Sequence, residues 1–183
     1  MFERIDSVDE LFEHELQDLF SAENQLIPAL TRMAGAADGA DLRAEFAHHL
    51  EQTQAHVSRL EKALDIMDLT PSGEPCHGIE GLIAEGERLM AVTSSGPVLD
   101  NVLIDSARKI EQYEITAYRG ALSKAYELGF VEVAALIELN LQEEELADFR
   151  LQQVAQGMMP YSGPGSDPRD DGSEVILGQH RES

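Results

Sequence analysis

Residues 133–157 read VAALIELNLQEEELADFRLQQVAQG. Ala134, Ile137, Leu141, Leu151 and Ala155 recur at three- and four-residue steps, the spacing of one face of an α-helix, and Gly157 supplies its stop. That face does not stay apolar. Ile137, Leu141, Glu144, Asp148, Leu151 and Ala155 continue the alternation of four and three unbroken, so two acids occupy positions at which a helix buries its side chains. An ionised carboxylate alone in a low-dielectric interior costs many kcal/mol, so the stretch predicts a helix whose buried side carries charge that something must neutralise.

The same irregularity recurs outward along the chain. The preceding helix is expected over about 98–128 on Leu103, Ala107, Ile110, Ala117, Ala121 and Ala125, closing at Gly129; Glu114 falls between Ile110 and Ala117, with Glu111 three residues earlier. Near the start, Ser7-Val8-Asp9-Glu10 is a capping box opening a helix over about 8–34 on Val8, Leu11/Phe12, Leu16/Leu19, Leu26 and Leu30. Glu23 sits inside that stripe. Pro28 removes one backbone donor and predicts a kink or bulge near Asn24, and Gly35 with Asp38-Gly39 marks the end. The next stripe runs Leu42, Phe46, Leu50, Thr53, Val57, Leu60, Leu64, Met67, with Glu51 one residue off it between Ala47 and Ala55. After the breaker from Thr70 to Pro75, a shorter crossover helix is expected over about 78–92 on Ile79, Leu82, Ile83 and Leu89. Two long helix hairpins joined by a crossover predict an all-α four-helix bundle over 1–157. Residues 158–183, with Pro160, Gly163, Pro164, Gly165, Pro168, Gly172 and the apolar Val175-Ile176-Leu177, read as a flexible tail.

Composition narrows the function. Thirteen Lys and Arg against 35 Asp and Glu give a formal charge of −22, which repels nucleic-acid phosphates and anionic membrane surfaces and favours cations. The 183 residues include no Trp, so the core is aliphatic and Ala-rich. The lone Cys76 cannot form an intramolecular disulfide, and MFERIDSVDE at the start lacks the basic and apolar segments of a signal peptide. No apolar run reaches the roughly 20 residues of a membrane-spanning helix. A cytoplasmic protein is expected.

Heights along the bundle test whether the acids meet. In an antiparallel hairpin, residues equally far from the turn are level. With Ala37 as the first turn's centre, Glu23 and Glu51 each lie 14 residues away; with Gly129 as the second, Glu114 and Glu144 each lie 15 away and Glu111 and Asp148 lie 18 and 19 away. At 1.5 Å per residue the inward acids of both hairpins stand about 21–22 Å from their turns. Like charges so close need a counter-charge, and no Lys or Arg lies on these stripes. Two metal ions would neutralise four to six carboxylates, and oxygen-rich ligation favours iron or manganese over zinc.

Asp18-Leu19-Phe20-Ser21-Ala22-Glu23-Asn24-Gln25-Leu26, His49-Leu50-Glu51-Gln52-Thr53, CHGIEGLIAEG at 76–86, KIEQYEITAY at 109–118 and Glu143-Glu144 with Asp148 are similar to the YciE/YciF family of ferritin-like, stress-associated bacterial proteins over roughly residues 5–156. The resemblance implies a ferritin-like bundle, a di-iron site and a homodimer. It also implies Glu23, Glu51, Glu111, Glu114, Glu144 and Asp148 as ligands of two iron ions; our own expectation for that set places Glu51 and Glu144 between the metals. The Glu111-x-x-Glu114-x-x-x-Tyr118 spacing resembles the third helix of rubrerythrins, which reduce peroxide, yet the Glu-x-x-His pairs of that pattern are replaced by Glu51-x-x-Gln54 and Glu144-x-x-Ala147. No Cys-x-x-Cys pair is present, so reductant would come from an electron-donor protein.

The remaining candidates carry blander expectations. Tyr118 stands one turn beyond Glu114, placed to donate to a ligand or relay an electron, and equally to pack in the core. His49, beside Leu50, reads as a buried hydrogen-bonding residue, with contact to the metal site as the alternative; His56, level with Asp18, as a surface or hydrogen-bonded group, with a pairing to Asp18 behind the site as the alternative; Glu45-x-x-His48 as solvated; Cys76 as an inert loop thiol. Two functions follow: a di-iron protein handling O2, peroxide or ferrous iron under stress, or a non-catalytic helical dimer that metals tie together.

Overall fold

The computed structural model describes residues 4–71 and 74–158, and the expected tail lies outside the described residues apart from its first, Met158. Five helices follow in order, α1 (Val8–Ala36), α2 (Ala40–Ile66), α3 (His77–Val92), α4 (Pro97–Leu128) and α5 (Val131–Met158), with no strand among the described residues. The start of α1 is set by Ser7, whose Oγ accepts from the Glu10 N–H at 3.1 Å, while the Glu10 carboxylate reaches back to the Asp6 N–H at 2.7 Å. Helix α1 runs without a break through Asn24 and Pro28. Pro97 opens α4 at its first turn, where the missing N–H leaves no intrahelical bond unmade.

Two tight turns hold the long hairpins. Gly129 adopts φ 83°, ψ 13°, and the Phe130 N–H donates to Ala125 O at 2.8 Å and the Gly129 N–H to Tyr126 O at 3.2 Å, a Schellman closure that suits glycine because its φ is positive. Between α1 and α2, the buried Asp100 of α4 accepts from the Asp38 and Gly39 N–H groups at 2.8 Å each, tying the first hairpin's turn to the start of α4. Helix α1 packs on α2 and α4, α5 packs on α4 and α2, and α3 lies across α4 and α1.

The apolar core is divided. One cluster, with Leu26, Met33, Phe46, Ile79, Leu103 and Ile110, fills the end nearest the α1–α2 turn. The other, with Phe12, Leu16, Leu60, Tyr118, Ala125 and Ile137, fills the opposite end, where the Phe12 and Phe130 rings stack at 5.9 Å. Between them lies a layer of buried polar side chains.

Candidate metal centre

Six ionisable side chains from all four long helices converge in that layer: Glu23 of α1, His49 and His56 of α2, Glu111 and Glu114 of α4, and Glu144 of α5. None exceeds 3% exposure. Two of the helices reach the layer from one side of the bundle and two from the other, so no single turn of chain could build it. His56 Nδ1 lies 2.9 Å from Glu144 Oε1 and 3.2 Å from Glu23 Oε1. His49 Nε2 lies 3.2 Å from Glu111 Oε1 and 3.6 Å from Glu144 Oε2. Glu144 is therefore common to two groups, Glu23/His56/Glu144 and His49/Glu111/Glu144, each offering three donor atoms within 4.8 Å of one another.

These contacts are close without being hydrogen bonds. Both oxygens of Glu114 and Glu144, Oε2 of Glu23 and Glu111, and Nδ1 of His49 and His56 have no hydrogen-bond partner although all are buried. Each such atom would cost about 1–3 kcal/mol or more if it stayed unpaired. Carboxylates crowded into one layer with so few donors are the arrangement a cation completes, and no Lys or Arg is buried among the described residues to serve as one. The donor set, four carboxylates and two imidazoles, fits two ions of iron or manganese.

Around this layer runs a satisfied network. His56 Nε2 lies 2.8 Å from Glu143 Oε2, which also accepts from Arg59 Nη1 at 2.7 Å. Arg59 Nη1 donates to Asn140 Oδ1 at 2.9 Å, Asn140 Nδ2 donates to the Tyr118 hydroxyl at 3.0 Å, and that hydroxyl donates to Glu23 Oε1. A partner on the outer ring nitrogen fixes the imidazole so that Nδ1 faces inward.

The electrostatics of the layer follow from its burial and its crowded charges. Burial pushes the carboxyls of Glu111 and Glu144 up to about 7, and raises Glu23 and, well above the ordinary range, Glu114, whose neighbours Glu144 and Glu23 add to the effect. Burial alone would lower His56; Glu23 and Glu144 outweigh it and carry it up to about 11. Without metal, a proton on His56 supplies part of the missing positive charge.

Of the residues expected from the sequence, the structure brings Glu23, Glu111, Glu114 and Glu144 together and leaves two outside. Glu51 is exposed on the outer side of α2. Asp148 accepts from Arg108 Nε at 2.8 Å and from Gln112 Nε2 at 2.9 Å, held toward the α4 surface rather than the layer. Tyr118 is both core and donor. Asp18 accepts from the buried Cys76 Sγ at 3.2 Å instead of facing His56.

His49 and His56 are the contributors that sequence reading kept outside the expected ligand set, favouring hydrogen-bonding roles for both. The buried face of α2 runs Leu42, Phe46, His49, Thr53, His56, Leu60, Ala63, an unbroken alternation of four and three, whereas Leu50 and Val57 are only half-buried. Choosing the apolar member of each adjacent pair shifted the stripe by one residue. The signal was present in the period itself, had polarity not been used to set its phase.

A bundle of four long helices with a buried carboxylate–histidine layer at mid-height has the ferritin-like fold. A ferritin-like di-iron-carboxylate protein from Bacillus anthracis superposes with a TM-score of 0.64 over 82% of this chain and 99% of its own, at 16% identity, a likeness of fold. Residues 7–161 match the family model described as "Domain of unknown function (DUF892)", and the chain belongs to that family. Protein YciF of Escherichia coli K12 is 33% identical over 150 residues, 81% of this chain and 90% of YciF. The crystal structure of that relative, described as a stress protein, superposes with a TM-score of 0.81 over 84% of this chain and 98% of its own. YcfI of Rhodopseudomonas palustris does so at 0.80 with 33% identity, over 83% of this chain and 98% of its own.

Proposed function

We infer that the chain holds two iron ions in its mid-bundle layer and handles O2, peroxide or ferrous iron in a stressed bacterial cell. The observation that carries this reading is the pair of carboxylate–histidine groups sharing Glu144, with unpartnered buried donor atoms on every member. Glu23, His56 and Glu144 would hold one ion and His49, Glu111 and Glu144 the other, with Glu114 beside them offering its two unpaired oxygens. Iron bound there would supply one-electron redox chemistry toward O2 or peroxide. The chain's own residues set the conditions. Glu143, itself held by Arg59, meets the outer nitrogen of His56, and Tyr118 donates to Glu23 and fixes the face that carboxylate presents. Two apolar clusters close the layer above and below against water.

The resemblance also carries a homodimer and an electron-donor protein into this proposal, together with a cytoplasmic location; no described helix is long and apolar enough to cross a membrane. Metal analysis of protein purified without chelator and loaded with ferrous iron anaerobically is the deciding experiment. About two ions per chain are expected, and fewer than about one would sink the dinuclear reading. Admission of O2 then separates chemistry from structure, since ferrous oxidation no faster than the buffer blank would leave only a metal-stabilised bundle. The closed layer, with no member above 3% exposure, is the observation that favours that second reading. A pocket lined by Met33, Leu82, Ile83 and Ile110 lies between α1, α3 and α4 and has room for little more than a water molecule, about 20 Å³.

A further inference from the structure

No member of the buried layer exceeds 3% exposure, so an ion bound there must first pass between helices. Apolar clusters close the bundle axis on either side, and aliphatic packing does not carry a bare cation. The seam between α2 and α5 is different. On α2, Glu45, His49, Gln52, His56 and Arg59 recur at steps of four and three, and on α5 Asn140, Glu143, Ala147 and Arg150 recur at steps of three and four. Contacts join the two rows: His56 Nε2 with Glu143 Oε2 at 2.8 Å, Arg59 Nη1 with Asn140 Oδ1 at 2.9 Å, and Arg150 Nη1 with Glu45 Oε1 at 3.8 Å. A polar row therefore runs along the seam and includes both imidazoles of the layer.

Each end of the row is an Arg–Glu pair, and the two are built differently. At one end Arg59 grips Glu143 twice, Nη1 to Oε2 at 2.7 Å and Nη2 to Oε1 at 3.1 Å, so that end is shut by satisfied hydrogen bonds. At the other, Arg150 Nη1 and Glu45 Oε1 stand too far apart to bond, and both atoms are buried without a partner. The side chains there reach solvent, Glu45 at 15% and Arg150 at 34% exposure, and Glu45 precedes His49 by one helical turn, about 6 Å. Of the Glu45-x-x-His48 pair expected to be solvated, only His48 is exposed. Further in, Gln52 Oε1 and His49 Nδ1 are also buried and unpartnered, and the α5 residue between Glu143 and Arg150 in the row is Ala147, its smallest side chain.

We propose that Glu45 and Arg150 form the gate by which a divalent cation enters the layer, Glu45 capturing the ion with its unpaired oxygen and passing it one turn inward to His49, while the Arg150 guanidinium obstructs it. The proposal rests on the metal reading above and adds a route to it. A formal charge of −22 draws cations toward the surface in general, and the loose pair sets where they go in. Its two halves act with opposite signs. Loss of the acid slows entry and loss of the base speeds it, and neither alters how many ions are finally held, because neither side chain belongs to the two donor groups.

Anaerobic stopped-flow mixing of the chelator-stripped full chain with ferrous iron reads the entry rate through quenching of tyrosine fluorescence, which no Trp obscures, and metal analysis after desalting reads the final content. Glu45→Gln should take up iron about tenfold more slowly and Arg150→Gln several-fold faster, each ending at about two ions per chain with unchanged helical circular dichroism. Glu51→Gln, which removes an outward acid from the same helix, should load at the wild-type rate. A gate variant whose rate is unchanged or moves the other way would overturn the gate and leave the metal layer standing. Equal slowing by Glu51→Gln would also overturn it, by assigning the effect to overall charge. An ion lost from Glu45→Gln at equilibrium would make Glu45 a ligand and overturn the gate as well. A wild-type chain holding fewer than about one ion would overturn layer and gate together. If Glu45→Gln loses helicity, Arg150→Gln decides alone: faster loading supports the gate and any other rate overturns it.

Discussion

Asp100 and Glu114 are carboxylates of the same helix, α4, and both are buried, yet their surroundings are opposite. Asp100 receives two backbone N–H donors from the α1–α2 turn, at 2.8 Å each, and has no unmet bonding capacity among them. Glu114 has none, and Glu144, Glu23 and Glu111 crowd it further. Burial of an acid therefore separates into two kinds. At the turn the chain itself completes the carboxylate, which works as a structural clamp. In the mid-bundle layer the chain assembles carboxylates from three helices and sets against them few donors, chiefly the Tyr118 hydroxyl on Glu23 and the imidazoles of α2, so Glu114 is left for a partner from outside the polypeptide to complete.

The largest effect that would break this contrast belongs to Glu144, which both donor groups share. Glu144→Ala should reduce bound iron from about two ions per chain to fewer than one, and should abolish the rise in melting temperature that metal loading gives the wild type. Retention of two ions would show that the groups do not depend on the residue joining them. Stability without metal supplies a second break, because the two kinds of carboxylate predict opposite signs. Asp100→Ala strands two backbone donors and should cost about 2–4 kcal/mol, with or without metal. Glu114→Leu removes an uncompensated buried acid and should stabilise the chelated protein by about 1–3 kcal/mol while weakening metal uptake. Thermal unfolding in chelator reads both, and a fall for both variants would remove the distinction.

Dependence on pH sharpens the same point. Glu111 and Glu144 titrate near 7 in the metal-free fold against an ordinary value of 4.5, so the folded state holds protons that the unfolded chain releases. Their contribution is complete below pH 4.5 and is lost as pH rises through 7. His56, at about 11 against 6.5, loses its contribution over the higher interval and in the same direction. The chelated protein should therefore melt several degrees lower at pH 8 than at pH 5.5. Metal binding displaces these protons and strengthens with pH, so the melting-temperature gain on loading should grow across the same range. A gain that is flat between pH 5.5 and 8 would mean that the ions bind away from these groups.

How far the sequence revealed the site depends on which helix is considered. On α1, α4 and α5 each buried acid interrupts a stripe of Leu, Ile and Ala, so charge inside an apolar period was visible, and the fold followed from the same periods and from Gly129. On α2 two stripes compete one residue apart, Leu50 and Val57 against His49 and His56, and hydropathy favours the wrong one. Only the neighbours decide, since His56 is drawn inward by Glu23 and Glu144 on helices far away in sequence. The assumed turn centre compounded the error. With the turn at Ala37–Gly39, the α2 residue level with Glu23 is Thr53, and His49 and His56 flank it by about one helical turn on either side. Asp148 failed differently: its position matched the period, but Arg108 and Gln112 intercept its short side chain before it can reach the layer.

The smallest expected effect is accordingly the most discriminating between the two α2 stripes. Two residues along a helix turn the side chain by about 200°, so His49 and Glu51 cannot both face the layer. His49→Gln should lower bound iron toward one ion per chain by removing the imidazole from the group it forms with Glu111 and Glu144. Glu51→Gln should leave both metal content and melting temperature unchanged within error, because an exposed carboxylate without a close cation contributes little to either. The reverse result, loss of an ion from Glu51→Gln with His49→Gln silent, would require α2 to rotate by half a turn when metal binds. It would then expel Phe46, His56 and Leu60 from the interior, and the apolar burial lost in that rotation is what holds His49 inward and Glu51 outward.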